Sequence, residues 1–326
     1  MFATIAVLMG MALAPQSGHD SGLATAVVQD HAAPAAQGLD ESQQEALHGE
    51  EGAHEEEHGF DILHHIMDAR EIELPFGGAI HLPPAGSWMV GPVDMTPTKH
   101  VVFLWLTGAI VLLLFLGAAR TARRARTESP RGGHNAIEAA ILFFRDKVVM
   151  ANVGHGGEKF APFVITLFFF ILVANLLGLV PWGASATGNV SVTAALALMT
   201  LVVVEVAGMR ALGARGYIGT IVYIPHGLPK PLVPVMALIM TPVELLGKLT
   251  KPFALAIRLF ANMTAGHVLL LAIISLIFLF GNFAIAIAPV VMAIALTFLE
   301  IFVAFLQAYI FALLASVFIG LIRHAH

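Results

Sequence analysis

Apolar runs of membrane length alternate with short polar links over the last two thirds of the chain. Residues 100–119, 160–180 and 191–209 are three such runs, each close to the roughly 20 residues that cross a bilayer as a helix. Two longer runs follow, 232–280 and 284–322. Residues 290–322 alone would extend roughly 50 Å as a helix, against a hydrocarbon core about 30 Å thick. A steep tilt is therefore expected, with Pro252 and Pro289 as candidate bends. Residues 134–151 (HNAIEAAILFFRDKVVMA) are amphipathic and too polar to cross, which places them flat on the membrane surface. The pattern predicts an all-α membrane protein: one N-terminal transmembrane helix, a surface amphipathic helix, and two membrane hairpins, the last long and strongly tilted.

The region before the first run reads differently. Residues 2–14 (FATIAVLMGMALA) are apolar but short, and Ala24-Thr25-Ala26 offers a cleavage signature, so residues 1–26 resemble a secretory signal peptide, although no Lys or Arg stands at the start; an uncleaved apolar tail is the alternative. Residues 27–59 are rich in Glu, His, Gly and Ala and are expected to be disordered. Their Glu50–His58 stretch reads first as a solvated acidic tail and second as a transition-metal binder. Residues 60–98 form an extracytoplasmic segment in which 71–82 reads as strand, Gly77-Gly78 turn, strand, a small extramembrane β-hairpin. Residues 99–326 remain as the membrane domain.

Charge separates the same two parts. Only 12% of the 326 residues are charged and 58% are apolar, whereas an average soluble domain is about one quarter charged. Of 22 acidic residues, 15 precede position 95, where Arg70 is the sole Lys or Arg. Positive charge marks the cytoplasmic side. Arg120, Arg123, Arg124, Arg126 and Arg131 follow the first run, Arg210, Arg215 and Lys230 stand in an expected loop over 210–230, and Arg323 closes the last run. The links Pro181–Val190 and Gly281-Asn282-Phe283 carry no charge. These boundaries agree on an extracytoplasmic N-terminus and a cytoplasmic C-terminus. The absence of cysteine excludes disulfides and thiolate metal sites.

Arg258 is the residue that most demands an explanation. It lies in Phe253-Ala254-Leu255-Ala256-Ile257-Arg258-Leu259-Phe260-Ala261, with no acid within one turn. A charge at the bilayer centre costs about 2.5–3.5 kcal/mol on insertion scales, and arginine keeps its proton under all ordinary conditions. Snorkelling to the surface is the alternative, opposed by the apolar chain that follows as far as Gly281. Glu244, Lys251 and Arg258 are spaced by seven and Asn262 stands four further on, so the four fall within about 40° on a helix. His267 points to the opposite face from Arg258. Glu300 and Gln307, seven apart, share a face of the last run. If the last two runs form a hairpin, His267 is the nearest titratable candidate to pair with Glu300, and such an acid–imidazole pair can hand on protons near neutral pH.

The stretch Lys251-Pro252-Phe253-Ala254-Leu255-Ala256-Ile257-Arg258-Leu259-Phe260-Ala261-Asn262-Met263-Thr264-Ala265-Gly266-His267 closely resembles the signature of subunit a of the F-type ATP synthase. So do Leu306-Gln307-Ala308-Tyr309-Ile310-Phe311 and Asn175-Leu176-Leu177-Gly178-Leu179-Val180-Pro181, and the resemblance covers roughly residues 60–322. It implies a stator with two offset aqueous half-channels facing a ring of c subunits, each bearing a carboxylate. Proton flow through it would be coupled to ring rotation and ATP synthesis. By that resemblance Arg258 would face the ring between the half-channels, with Gln307 beside it and Asn262 near the same surface. His267 and Glu300 would line the outer half-channel, Asn175 the outer access path and Glu244 the cytoplasmic half-channel. The implied partners are the c-ring, b-type stator subunits and the lipid bilayer, with no nucleic acid, no cofactor and no resident metal; the subunit would not be catalytic by itself.

Two features depart from some relatives. Some bacterial members carry Glu where His267 stands and His where Glu300 stands, an exchange that preserves the acid–imidazole pair. Some carry an acid where Gly178 stands. Glu205, near the inner end of the third crossing, receives no role from the resemblance. A secondary transporter or a metal-ion transporter is the competing reading, although no internal repeat is visible.

Overall fold

The computed structural model describes residues 71–73, 79–84, 87–90, 93–94, 96–124, 133–180, 183–222, 233–280 and 283–324. The expected signal peptide, the acidic His-rich segment, residues 60–70 and the arginines at 126 and 131 lie outside the described residues. Strands β1 (Glu71–Glu73) and β2 (Ala79–His81) pair antiparallel, with Ile72 opposite Ile80. A second short pair, β3 (Met89–Val90) and β4 (Val93–Asp94), was not expected from the sequence.

Helices then take over. They are α1 (Lys99–Arg124), α2 (Gly133–Phe143), α3 (Met150–Val153), α4 (Ala161–Gly178), α5 (Val190–Ile221), α6 (Val233–Phe280) and α7 (Phe283–Arg323). A π-helical turn, Phe144–Val149, carries α2 into α3. Five of them, α1 and α4 to α7, are long and apolar enough to cross a membrane. The α2–α3 unit is not among the five, in keeping with its polar sequence.

Each boundary has a local cause. Asn189 caps α5, its side-chain oxygen accepting from the Ser191 amide at 2.8 Å. Proline stands in the first turn of α4, where its missing N–H costs nothing. The expected loop over 210–230 is instead helical as far as Ile221, broken only at Gly213, whose φ of 71° is open to glycine at little steric cost. The charges Arg210 and Arg215 made this stretch look like a loop; Tyr217 and Thr220 hold it as a folded-back helical limb, as shown below. Pro252 and Pro289 do not interrupt their helices, and a further proline, Pro242, is also contained in α6.

The core lies between α4 and the C-terminal half of α7. Helix α4 is apolar on every side, and Val164, Phe168, Ile171 and Ala174 are almost wholly buried. Facing it, Ala308, Phe311, Ala312, Ala315 and Ile319 have no exposed surface. Alanines at this spacing let two backbones approach closely, the usual device of helix pairs in lipid. Phe144 of the π-turn stacks on Phe168 with centroids 4.1 Å apart, and the Ser316 hydroxyl donates to the Val148 carbonyl at 3.1 Å, which locks the amphipathic unit to α7.

Helices α6 and α7 pack antiparallel: Lys251 lies near Phe318, Asn262 against Gln307 and Gly266 against Glu300. Their outer face stays open. Leu238, Phe253, Ile287, Phe298 and Phe302 are all more than half exposed. A contiguous apolar face of this kind belongs against lipid or a protein partner, not water.

Candidate functional site

Arg258 stands on that open face. It is exposed, flanked by exposed Phe253, Ile257 and Ala261, and among the described residues no carboxylate lies within ion-pairing distance of it. Toward the C-terminal end of α6, Asn262 donates to Gln307 Oε1 at 3.0 Å. Gln307 is buried, and its Nε2 makes no hydrogen bond within the described residues. The neutral amide pair thus spans the two helices one turn from the guanidinium.

A small cavity of about 20 Å³ opens behind this pair, lined by Asn175, Asn262, Gly266, Glu300 and Gln307, with apolar side chains between. The volume suits one water molecule. Glu300 Oε2 is buried there without a hydrogen bond among the described residues. Gly266 explains how the carboxyl fits: a Cβ at that position would stand 2.8 Å from Glu300 Oε1. His267, half-buried, follows Gly266 on α6 and does not line the cavity. Asn175, Asn262, Glu300 and Gln307 are therefore brought together, Arg258 lies one helical turn away on the open face, and Glu244 lies elsewhere.

Asn175 is held by a chain of contacts that the sequence did not reveal. Its Nδ2 donates to the Ala304 carbonyl at 3.3 Å, and its Oδ1 accepts from Thr187 Oγ1 at 2.6 Å. Thr187 Oγ1 in turn meets Ser185 Oγ at 2.8 Å, and the Ser185 carbonyl lies 3.1 Å from His100 Nδ1. Residues 183–187 are all buried. Residues 183–187 of the uncharged link between α4 and α5 are thus folded inward; the lack of charge permits this burial but does not by itself require it. Gly178 faces this link. A Cβ there would come within 2.8 Å of Met263 Cε and closer still to Ser185 Cβ, so the loop takes the space that a side chain at this position would need.

A larger cavity of about 140 Å³ lies at the other end of α6. Glu244, Lys248 and Lys251 line it from α6, Thr200 and Glu205 from α5, Thr220 from the limb beyond Gly213, and Phe318, Leu321 and Ile322 from α7. Glu205 Oε2 accepts from Tyr217 Oη at 2.5 Å and from Lys248 Nζ at 3.4 Å, and Lys248 also donates to Thr220 Oγ1 at 3.2 Å. Burial, and then the hydrogen bond and negative charge of Glu205, push the Tyr217 phenol up to about 12. In a straight helix Glu205 and Tyr217 would be roughly 18 Å apart along the axis. The break at Gly213 brings them together, so no sequence spacing pointed to this cluster.

Residues 101–320 match the ATP synthase A chain family. The chain belongs to that family. It is 44% identical over 320 residues to ATP synthase subunit a of Anaeromyxobacter dehalogenans (strain 2CP-C), covering 94% of this chain and 80% of that protein. It is 44% identical over 262 residues to ATP synthase subunit a of Chloroherpeton thalassium, covering 80% of this chain and 76% of that protein. ATP synthase subunit a 2 of Chlorobaculum tepidum is 39% identical over 279 residues. The family match reaches all five membrane-length helices and takes in every residue lining the two cavities except Leu321 and Ile322.

Proposed function

We propose that this chain is the Fo stator of an ATP synthase, a multi-pass subunit that passes protons to and from the carboxylates of a rotating c-ring. The observation that carries the proposal is Arg258: a permanent cation exposed on an apolar helix face, with no acid of the described chain at hand to neutralise it. At an effective dielectric constant of 20, a carboxylate brought to 4 Å would gain about 4 kcal/mol of attraction. Arginine cannot relay a proton, so it holds each passing carboxylate ionised and closes the direct path between the two sides.

The two cavities flank this cation along α6. Gly266, at the outer pocket, lies eight residues beyond Arg258, and Glu244 lies fourteen before it. The two positions are therefore roughly 33 Å apart along the axis, close to the full hydrocarbon thickness of about 30 Å. In this scheme the outer half-channel runs past Asn175 to Glu300, with His267 as its imidazole partner, and Gln307 and Asn262 deliver the proton to the ring surface. Glu244 exchanges protons with the cytoplasm through the larger cavity. Helix α6 would be roughly 70 Å long if straight, so it crosses the bilayer at a steep tilt beside α7. The α2–α3 unit lies along the inner surface, the N-terminus is extracytoplasmic and the C-terminus cytoplasmic. Stator subunits of b type hold the chain against rotation.

A metal-transport reading calls for clustered ligands inside the spans. Among the described residues no group of three or more His, Cys, Asp and Glu is placed to hold a metal ion. The stator reading is tested by ATP-driven proton pumping in inverted vesicles carrying Arg258→Ala. Pumping is expected to vanish while the subunit stays assembled in the membrane complex; retained pumping would reject the proposal.

A further inference from the structure

We propose that Glu205 is a positioning residue of the inner half-channel: it draws the Lys248 ammonium away from Glu244 and so leaves the Glu244 carboxyl free to exchange protons. The inference rests on the reading of Glu244 as the inner proton group.

Glu244 and Lys248 stand four apart on α6, with the acid on the N-terminal side. That is the favoured order and spacing for an ion pair along a helix, and both side chains line the same cavity. Yet Lys248 turns to α5. Its Nζ lies 3.4 Å from Glu205 and 3.2 Å from the Thr220 hydroxyl, and 4.8 Å from the centre of the Tyr217 ring. The three partners converge only because Gly213 folds the second limb of α5 back on the first. Lys251, the other cation of the cavity, lies over the Phe318 ring, its Nζ 5.7 Å from the ring centre, and makes no ion pair with Glu244 among the described residues. The titratable and charged groups around Glu244 are thus Glu205, Lys248 and Lys251, with Tyr217 behind Glu205; α7 brings only apolar side chains to this cavity.

The consequence concerns proton exchange. A cation within ion-pairing reach holds a carboxyl in its charged form, lowering its pKa by about 1–3 units. Each unit lowers the protonated fraction about tenfold at a fixed pH above it. Glu244 paired with Lys248 would be a fixed charge and a poor carrier. Glu205 outcompetes Glu244 for the lysine because the Thr220 hydroxyl and the Tyr217 ring meet the same ammonium at the same place.

The test is ATP-driven pumping as a function of pH in inverted vesicles holding the whole enzyme. Glu205→Gln is expected to lower pumping about tenfold near neutral pH and to move the profile about one pH unit toward acid. Adding Lys248→Gln to that variant is expected to restore both rate and profile, a rescue that a purely structural loss would not show. An unshifted profile in Glu205→Gln, or a double variant no better than the single, overturns the proposal. If Glu205→Gln fails to assemble, Glu205→Asp carries the test: it keeps the charge one methylene short, and a partial acid shift reversed by Lys248→Gln is expected, whereas no shift overturns the proposal. Glu244→Gln separates the two levels. Full pumping in that variant would remove the inner-carrier reading itself, whereas lost pumping there beside normal pumping in Glu205→Gln would remove the positioning role alone.

Discussion

The two cavities that flank Arg258 are built on opposite plans. The outer one is tight, about 20 Å³, and lined by three amides and a single carboxyl. The inner one is about seven times larger and holds two carboxylates and two lysines. At the outer pocket, geometry does the selecting: Gly266 within it and Gly178 beside it have no room for a Cβ, and Asn175 is fixed from both ends. In the inner cavity, charge does it, through a salt bridge and a tyrosine that keep one cation at a set place. The contrast teaches that, apart from the proton-carrying carboxyls themselves, the two sides should fail differently, the outer to changes of size and the inner to changes of charge.

The largest expected effect is on the outer carboxyl. Glu300→Gln keeps the size and removes the titratable group, and should lower ATP-driven pumping about 10²-fold, the typical contribution of a positioned acid–base group. Pumping within twofold of the parent would remove Glu300 from the path. Next comes steric loading. Gly178→Val should destabilise the assembled subunit by about 1–3 kcal/mol through overpacking against Ser185 and Met263, seen as a lower midpoint of thermal dissociation. Gly247→Ala, on α6 near the inner cavity with open space around it, should be neutral or stabilising by up to about 1 kcal/mol. Equal losses in both would break the contrast.

Asn175→Leu should come third. It leaves Thr187 Oγ1 without its buried acceptor, at a cost of about 1–3 kcal/mol, measured in the same melting assay; Asn175→Asp, which keeps the acceptor, should cost less. The smallest effect is a titration. Tyr217 is pushed up to about 12 from an ordinary value of 10.0. Its raised value adds stability that is present in full below pH 10 and is lost as pH rises toward 12. With Tyr223 and Tyr309 replaced by Phe, tyrosinate absorbance should therefore appear near pH 12, and Glu205→Gln should bring it down. Ionisation near pH 10 in the parent would show that the Glu205 contact does not form.

Much of this was legible in the sequence because the signals are local. Run length separated α1 and α4 from the amphipathic α2–α3 unit, and an uncompensated arginine in an apolar helix needs no neighbour to be noticed. Glu300 and Gln307 share a face by simple helical spacing, and they do line one cavity. The inward fold of residues 183–187 was not legible, because an uncharged link reads the same whether it is buried or faces the membrane surface. Nor was the partner of Glu205, since helical periodicity assumed through Gly213 sets Tyr217 far from it.

Covalent order alone determined which segments enter lipid, since transfer of apolar residues is a sum over a window and needs no tertiary partner. It also determined that a cation had to stand within one of them. Only the folded chain decided what each polar side chain meets. Pairing across helices depends on close approach at Gly266, on the break at Gly213 and on the depth of the α4–α5 link, and short-range contact energies carry no trace along the sequence of which distant residue will supply them.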